Sequence, residues 1–265
     1  MTALLSNDAS GWEHFLSAGL LVCIRVSGLF IFAPIFSSQA LPAKVKSVFL
    51  VVLTVVLAPL AAGLPGSHVE VGLRSVLGEL GVAALLGLSL AMLNELASLA
   101  GQLLGMQFSF SLVNLLDPNS EVQTPLLAQM LSLLEITVLL AAGLHRTIIA
   151  ALLHTFVVVP LGSGLAPREI GIPLVGMMSG VFLAALQLAA PVIAATLLVE
   201  IGIALMSRVS PQLPVLALTV PAKTVIGYVV LIGSLALWPA FFEARFDGLL
   251  NTAQALLRDL ALHAS

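Results

Sequence analysis

Six ionisable side chains interrupt long apolar stretches of this 265-residue sequence, and they are its first candidates for chemistry. A charge at bilayer depth costs at least about 2.5 kcal/mol on insertion scales, so each should face a helix-bundle interior, a partner subunit or water. Two interpretations stay open: a proton relay or substrate path, or buried charges at packing contacts. The carboxylates are too widely spaced in sequence to form a relay motif. The six residues are Arg25, Glu79, Glu95, Glu135, Glu200 and Lys223.

The histidines and the single cysteine give no sign of a metal or catalytic site. His145 and His154 flank one predicted helix, but two ligands on one helical face lie three or four residues apart, and these two are farther apart. Cys23 lies alone within an apolar run, and no nucleotide-binding loop or nucleophile motif is present. We therefore predict a protein that is not an enzyme and that requires no cofactor or metal.

The composition is that of an integral membrane protein. Hydrophobic residues make up 60% of the chain and charged residues only 9%, with a mean hydropathy of +1.14. Soluble domains carry about 25% charged residues. The apolar stretches are too long and too poor in turn residues for the strands of a membrane barrel, so the predicted class is all-α. The net charge is −3 and no basic patch is present, which argues against nucleic-acid binding.

The apolar stretches follow one another as one predicted membrane domain over residues 1–265, with a helical core at 11–243. Several of them have the wrong length for a simple span of about 20 residues. Residues 170–199 are an uncharged run with Pro191 inside it, where we expect a kink or a break. The three prolines within residues 208–221 predict an irregular stretch. Residues 244–265 mix charges with leucines and predict an amphipathic helix at the membrane interface.

Small residues recur at four-residue spacing on two of the predicted helices. Such a spacing lets helix backbones approach one another closely in a membrane. We therefore expect these helices to pack tightly against others, either of this chain or of a partner. The first series is Ala97, Gly101 and Gly105, and the second is Gly176, Gly180 and Ala184.

Polar and apolar side chains alternate strictly from Met106 to Leu112, which is the pattern of an extended segment with one apolar face. Extended backbone does not face lipid, because its N–H and C=O groups would remain unpaired. The alternation thus predicts a non-helical segment that is packed against protein or lines a water-filled cavity. It is interpreted either as a gate or as a short loop whose alternation satisfies local packing. The apolar face comprises Met106, Phe108, Phe110 and Leu112.

Taken in order along the chain, a set of short motifs resembles the FliR/SctT export-gate family of type III secretion, and its flagellar branch in particular. The resemblance covers about residues 11–258. No single motif is specific, but their order is. The motifs include Ile24-Arg25-Val26, Ala33-Pro34, Leu41-Pro42, Gly101 to Gly105, Asp117-Pro118, Thr155-Phe156, Pro160-Leu161-Gly162 and Arg208 to Leu213.

This resemblance implies kinked helical hairpins that pack, with several copies of FliP and FliQ, into an export gate at the flagellar basal body in the bacterial inner membrane. It also implies contacts with FlhB and FlhA, with membrane lipid and with unfolded export substrates. Residues 105–122 correspond to a plug loop, in which Phe108, Phe110 and Leu112 would fill the pore. Gly105, Asp117 and Pro118 would act as hinges. The alternatives are the equivalent subunit of a virulence injectisome and a small-solute secondary transporter using Glu95 or Glu135.

Overall fold

In the computed structural model, the described residues are 2–33, 36, 42–108, 126–163, 167–210, 212 and 215–264. They are mostly helical, and no strand occurs among them. A short 3-10 turn at Leu235–Leu237 joins the last two helices. In chain order the helices are α1 (Thr2–Phe32), α2 (Ala43–Ala62), α3 (Leu73–Gln107), α4 (Leu126–Ala141), α5 (Leu144–Val158), α6 (Pro167–Val209), α7 (Val215–Ser234) and α8 (Trp238–Ala264).

The described helices confirm the all-α membrane class predicted from composition. Five helical segments are long and apolar enough to cross a membrane, and their mean hydropathies lie between 2.0 and 2.3. A sixth candidate is the pair α4 and α5, which is bent by 75°. Gly143 separates these two helices with a φ of +72°, a left-handed conformation that costs glycine no steric energy. Any residue with a side chain would be strained at that angle, so glycine suits the position where the bend occurs.

The break considered at Pro191 does not occur, and the irregular stretch predicted to reach Pro221 ends earlier in the chain. Helix α6 continues without a break through Pro191, and Pro221 lies inside α7. Within the predicted stretch 208–221, residues 208–209 and 215–221 are helical, and residues 211, 213 and 214 lie outside the described residues. Proline removes one backbone hydrogen bond, but a membrane helix tolerates it because neighbouring groups and local adjustments satisfy the freed carbonyl.

The chain divides into two compact units. The first unit comprises residues 1–92, 139–178 and 246–265. Its core includes a cluster in which Val82 and Leu85 of α3 meet Val159 and Leu257. In the same unit α1 packs along α2, and the rings of Phe30, Phe36 and Phe49 all contact one another, at centroid distances of 5.0, 5.7 and 6.1 Å.

The predicted C-terminal helix is present as α8. Its apolar face packs within the protein, because Leu250, Ala253 and Leu257 are buried. An amphipathic helix needs some apolar partner for that face, and here the protein's own core supplies it.

The second unit comprises residues 93–138 and 179–245. It contains the C-terminal half of α3, most of α4, the C-terminal part of α6 and all of α7. The end of α3 lies in this unit, and it is there that the predicted plug begins.

Candidate functional site

The predicted extended segment starts as a helix. Met106 and Gln107 are the last two residues of α3, and the Phe108 amide still donates a 3.2 Å hydrogen bond to the carbonyl of Leu104. Residues two apart on a helix point in different directions, whereas on a strand they share a face. Accordingly, Met106 is 65% exposed and Phe108 only 4% exposed. The prediction that these two side chains share one apolar face was therefore wrong.

Phe108 packs against α7. Its ring lies parallel to the ring of Tyr228, with the centroids 4.7 Å apart and the planes 10° apart. A Cβ atom added to the adjacent Gly227 would overlap the Phe108 ring edge, with Cζ at 3.1 Å and Cδ1 at 3.2 Å from it. Glycine at position 227 therefore lets the ring approach the α7 backbone. We call Gly227 and Tyr228 the Phe108 docking site.

A polar contact fixes the neighbouring residue to α6. The buried Thr196 hydroxyl lies 3.1 Å from the Oε1 atom of Gln107, and its single proton is shared with the carbonyls of Val192 and Ile193, each at 3.0 Å. One helical turn farther along α6, Glu200 forms an ion pair with Lys223, which lies one turn before Gly227 on α7. The end of α3 is thus attached to both α6 and α7 within the second unit.

The other residues predicted for the plug and its hinges divide into two groups. Gly105 is helical and buried in the last turn of α3. Phe110, Leu112, Asp117 and Pro118 lie outside the described residues.

Two of the six charged residues meet in the first unit. The Arg25 guanidinium donates to both carboxylate oxygens of Glu79, at 2.5 and 2.9 Å, and both side chains are almost fully buried. Arg25 also donates to the Val159 carbonyl at 2.9 Å, and Glu79 accepts the Gly162 amide at 2.9 Å. The guanidinium carbon lies 4.4 Å from the centre of the Phe156 ring. This bidentate pair therefore joins α1 and α3 to the chain that follows α5.

The two remaining carboxylates have different surroundings. Glu95 is exposed, so it is not buried at a packing contact among the described residues. Glu135 is fully buried on α4, and neither of its oxygens has a hydrogen-bond donor among the described residues. In that part of the chain, no group of three His, Cys, Asp or Glu residues could hold a metal ion.

The two series of small residues also differ. Ala97 is buried, and a Cβ atom on Gly101 would overlap the backbone of Ala128 on α4. By contrast, a Cβ atom on Gly176 or Gly180 would meet nothing within 4 Å. The first series therefore brings two helices of this chain into close contact. In the second series the two glycines leave space on α6, whereas Ala184 is buried.

Sequence comparison agrees with this helical membrane architecture. The family described as bacterial export proteins, family 1, has a model that matches residues 16–249. The chain belongs to this family. It is 26% identical to the flagellar biosynthetic protein FliR of Escherichia coli (strain K12), over 98% of this chain and 100% of that protein. It is also 26% identical to FliR of Bacillus subtilis (strain 168), over 81% of this chain and 85% of that protein.

A further relative of this chain does not carry the name of a flagellar protein. The chain is 27% identical to the Yop proteins translocation protein T of Yersinia pestis, over 80% of this chain and 83% of that protein. The resemblance drawn from the ordered motifs is thus confirmed at the level of the family.

Sequence reasoning missed the Phe108 docking site altogether. Gly227 and Tyr228 lie in an unremarkable apolar run, and nothing in its periodicity indicates which aromatic ring it receives. The one available signal is that Tyr228 is the only tyrosine of the chain.

Proposed function

We propose that this chain is a gate subunit of the flagellar type III protein export apparatus, required for secretion of flagellar building blocks and hence for flagellum assembly. The observation that carries this proposal is the match to a relative named flagellar biosynthetic protein FliR over the full length of that relative. The subunit acts sterically rather than as an enzyme, and it resides in the bacterial inner membrane at the flagellar basal body.

Its exposed apolar surface supports assembly with other subunits. Only 17% of the most apolar part of α2 and 22% of that of α6 is buried within the chain. The apolar segment of α6 has 35 residues, a length of about 52 Å at 1.5 Å per residue, whereas the hydrocarbon core is about 30 Å thick. Such a helix fits within the hydrocarbon core only if it tilts strongly. Contact with partner helices accounts better for its exposed apolar surface. FliP and FliQ are the proposed neighbours, with FlhA and FlhB as further contacts.

The segment after α3 is proposed to close the export path, with Phe110 and Leu112 as the side chains that exclude water. Burying a large apolar side chain contributes about 1.5–3 kcal/mol, so a few such residues resist hydration of a narrow pore. A passing substrate has to displace them. Support comes from the position of this segment, which begins where α3 is attached to α6 and α7.

One experiment tests the assembly proposal. The tagged chain is purified from membranes of the organism that encodes it, and the co-purifying proteins are identified. We expect FliP- and FliQ-like proteins, and we expect deletion of this chain to abolish filament formation and motility. A monodisperse monomer without these partners, or normal filaments in the deletion strain, would contradict the proposal.

A second experiment tests the plug. Replacing both Phe110 and Leu112 by glycine should raise the ion conductance of membranes that contain the complex, while leaving assembly intact. Unchanged conductance with normal assembly would show that these side chains do not seal the path.

The Yersinia relative favours a second candidate, the equivalent subunit of a virulence injectisome. The two candidates differ in what the deletion strain loses. Loss of filaments supports the flagellar role, whereas loss of effector secretion with normal motility supports the injectisome role.

A further inference from the structure

We propose that Glu200 accepts a hydrogen bond from an uncharged side chain of a neighbouring subunit, and that this contact seats a helix of that subunit against α6. The donor is a serine, threonine, asparagine or glutamine. The neighbour is a subunit of the same complex, so this inference rests on the proposed function. It assigns the chemistry of one contact between subunits and does not depend on how the export path closes.

The first support is the depth of the ion pair between Glu200 and Lys223. Both residues lie inside apolar segments long enough to cross a membrane. Glu200 lies nine residues before Val209 at the end of α6, and Lys223 lies eight residues after Val215 at the start of α7. At 1.5 Å per residue these positions are about 14 and 12 Å from the connection between the two helices, and half of the hydrocarbon core is about 15 Å. With that connection at the membrane surface, the pair lies close to the middle of the hydrocarbon.

The second support is that the shorter side chain of the pair is the exposed one. The Glu200 side chain is 41% exposed and that of Lys223 only 11%. A lysine can extend its long stem toward the membrane surface, whereas a glutamate carboxylate does not span a distance of about 14 Å. Charged groups at this depth face protein or a water-filled space rather than lipid. The exposed edge of the carboxylate therefore needs cover from outside this chain.

The third support is the acceptor that the pair leaves unused. The Lys223 ammonium donates to Oε1 of Glu200, and Oε2 accepts no hydrogen bond from any described residue. A carboxylate can accept several hydrogen bonds, because each oxygen has two lone pairs. Its charge, however, is already balanced by Lys223. A second lysine or arginine would place an unbalanced positive charge in an apolar interior, so an uncharged donor is the matching group.

The fourth support is the surface beside Glu200. Leu197 and Ala204 lie one turn before and one turn after it on the same side of α6, and both are exposed. Ala204 is small, so a second helix can approach the α6 backbone there. Serine, threonine, asparagine and glutamine side chains form hydrogen bonds between closely packed membrane helices. An apolar surface with one open acceptor thus matches an apolar helix with one polar donor.

The test removes the pair without leaving a buried charge. Glu200→Leu combined with Lys223→Met replaces both side chains by apolar ones of similar size. For a pair that serves only this chain, such an exchange is often neutral. With the neighbour's donor left unpaired, we expect a normal level of the subunit in membranes but about tenfold less of that neighbour in the purified complex, the factor that about 1.4 kcal/mol produces. Recovery of all partners at the wild-type level would overturn the proposal.

An exchanged pair keeps the test decisive if the apolar double variant does not accumulate. Glu200→Lys with Lys223→Glu retains an ion pair within this chain but offers a donor where the acceptor stood. The exchanged subunit should lose the same neighbour, and retention of that neighbour would overturn the proposal.

Thr219→Val is the matched control on α7. The Thr219 hydroxyl already donates to the Val215 carbonyl of its own helix at 2.7 Å, so its removal should leave partner recovery at the wild-type level. A loss as large as that of the apolar double variant would overturn the proposal, because it would show that any polar group on this surface has the same effect.

Photo-crosslinking identifies the donor. Benzoylphenylalanine in place of Leu197, in the complete complex, should form an adduct with a neighbouring subunit next to a serine, threonine, asparagine or glutamine. Replacing that residue by an apolar one of similar shape should restore partner recovery in the apolar double variant, since removing both members of a hydrogen bond is nearly neutral. An adduct with lipid alone, failure of this rescue, or labelling of Leu197→Cys by a water-soluble maleimide in the Cys23→Ser background would overturn the proposal.

The same strains separate this contact from the function of the complex. Normal filaments in the strain that lacks this chain would refute the export role, while the adduct and the rescue would still uphold the contact. Normal partner recovery by the apolar double variant, in an organism whose deletion strain lacks filaments, would refute the contact alone.

Discussion

Arg25 and Glu79 form a buried, bidentate ion pair that joins two helices across 54 residues of sequence. The pair is completed on both sides by the backbone. The Val159 carbonyl takes an arginine N–H, and the Gly162 amide donates to the carboxylate. Two charges that would each be costly in an apolar interior are therefore neutralised and hydrogen-bonded together. Their contact orders the chain between α5 and α6, which contains no regular structure of its own at residues 159–163.

Glu79→Ala should destabilise the protein strongly, because it leaves the Arg25 guanidinium buried without its counter-charge. Breaking such a pair costs roughly 3–5 kcal/mol. The matched control is Glu95→Ala on the same helix, where the side chain is exposed and the change should stay within about 0.5 kcal/mol. Thermal unfolding of the purified complex in detergent measures both. Similar melting curves for the two variants would show that the ion pair contributes little.

Gly162→Ala should be more damaging than Gly143→Ala, although both glycines have left-handed φ angles of +77° and +72°. At Gly143 nothing lies within 4 Å of an added Cβ, so only the backbone conformation is penalised, by about 1–2 kcal/mol. At Gly162 the added atom would also overlap the carbonyl of His68. Overpacking of this kind adds about 1–3 kcal/mol. Unfolding temperatures of the two variants, measured side by side, give the difference, and equal values would contradict the close approach at His68.

The pair Glu200 and Lys223 should respond asymmetrically to mutation. Lys223 is the more buried partner, with 11% of its side chain exposed against 41% for Glu200. Glu200→Ala leaves a buried ammonium without a partner, whereas Lys223→Met leaves a carboxylate that is partly exposed. We expect Glu200→Ala to reduce the yield of assembled complex and Lys223→Met to reduce it less. Gel filtration of the two tagged complexes tests this order, and the reverse order would contradict it.

Sequence reasoning predicted the class and most helices, because these depend on local apolar content. Helix α3 runs unbroken over Leu73–Gln107, since no proline interrupts its apolar sequence. Proline predicted a kink or a break at Pro191 and an irregular stretch up to Pro221, but helices continue through both residues, because tertiary surroundings override a local preference in a tightly packed membrane protein. Alternation failed at Met106, because the helical preference of the preceding residues extends α3 into the alternating segment.

The contacts between distant residues could not be predicted in the same way. Arg25 and Glu79 were both identified as buried charges, but neither their spacing nor their surroundings indicated that they pair with each other. Phe108 was identified for its apolar pattern, yet its partner Gly227 carries no side chain and hence no pattern. Pairings of this kind depend on which helices are neighbours, and that depends on the whole packing rather than on any one segment.

The two series of small residues should separate packing within the chain from packing against partners. Gly101→Leu would force apart the backbones of α3 and α4 at Ala128, so the chain itself should fold poorly and its level in membranes should fall. Gly180→Leu meets open space in this chain, so the subunit should accumulate normally. If partner helices occupy that space, Gly180→Leu should nonetheless lose FliP- and FliQ-like proteins on purification. Ala97→Leu, at another buried position of the first series, should behave like Gly101→Leu. Quantitative immunoblotting gives the level of the subunit, and mass spectrometry of the purified complex gives its partners. Normal levels and normal partners for Gly180→Leu would leave that face of α6 to lipid.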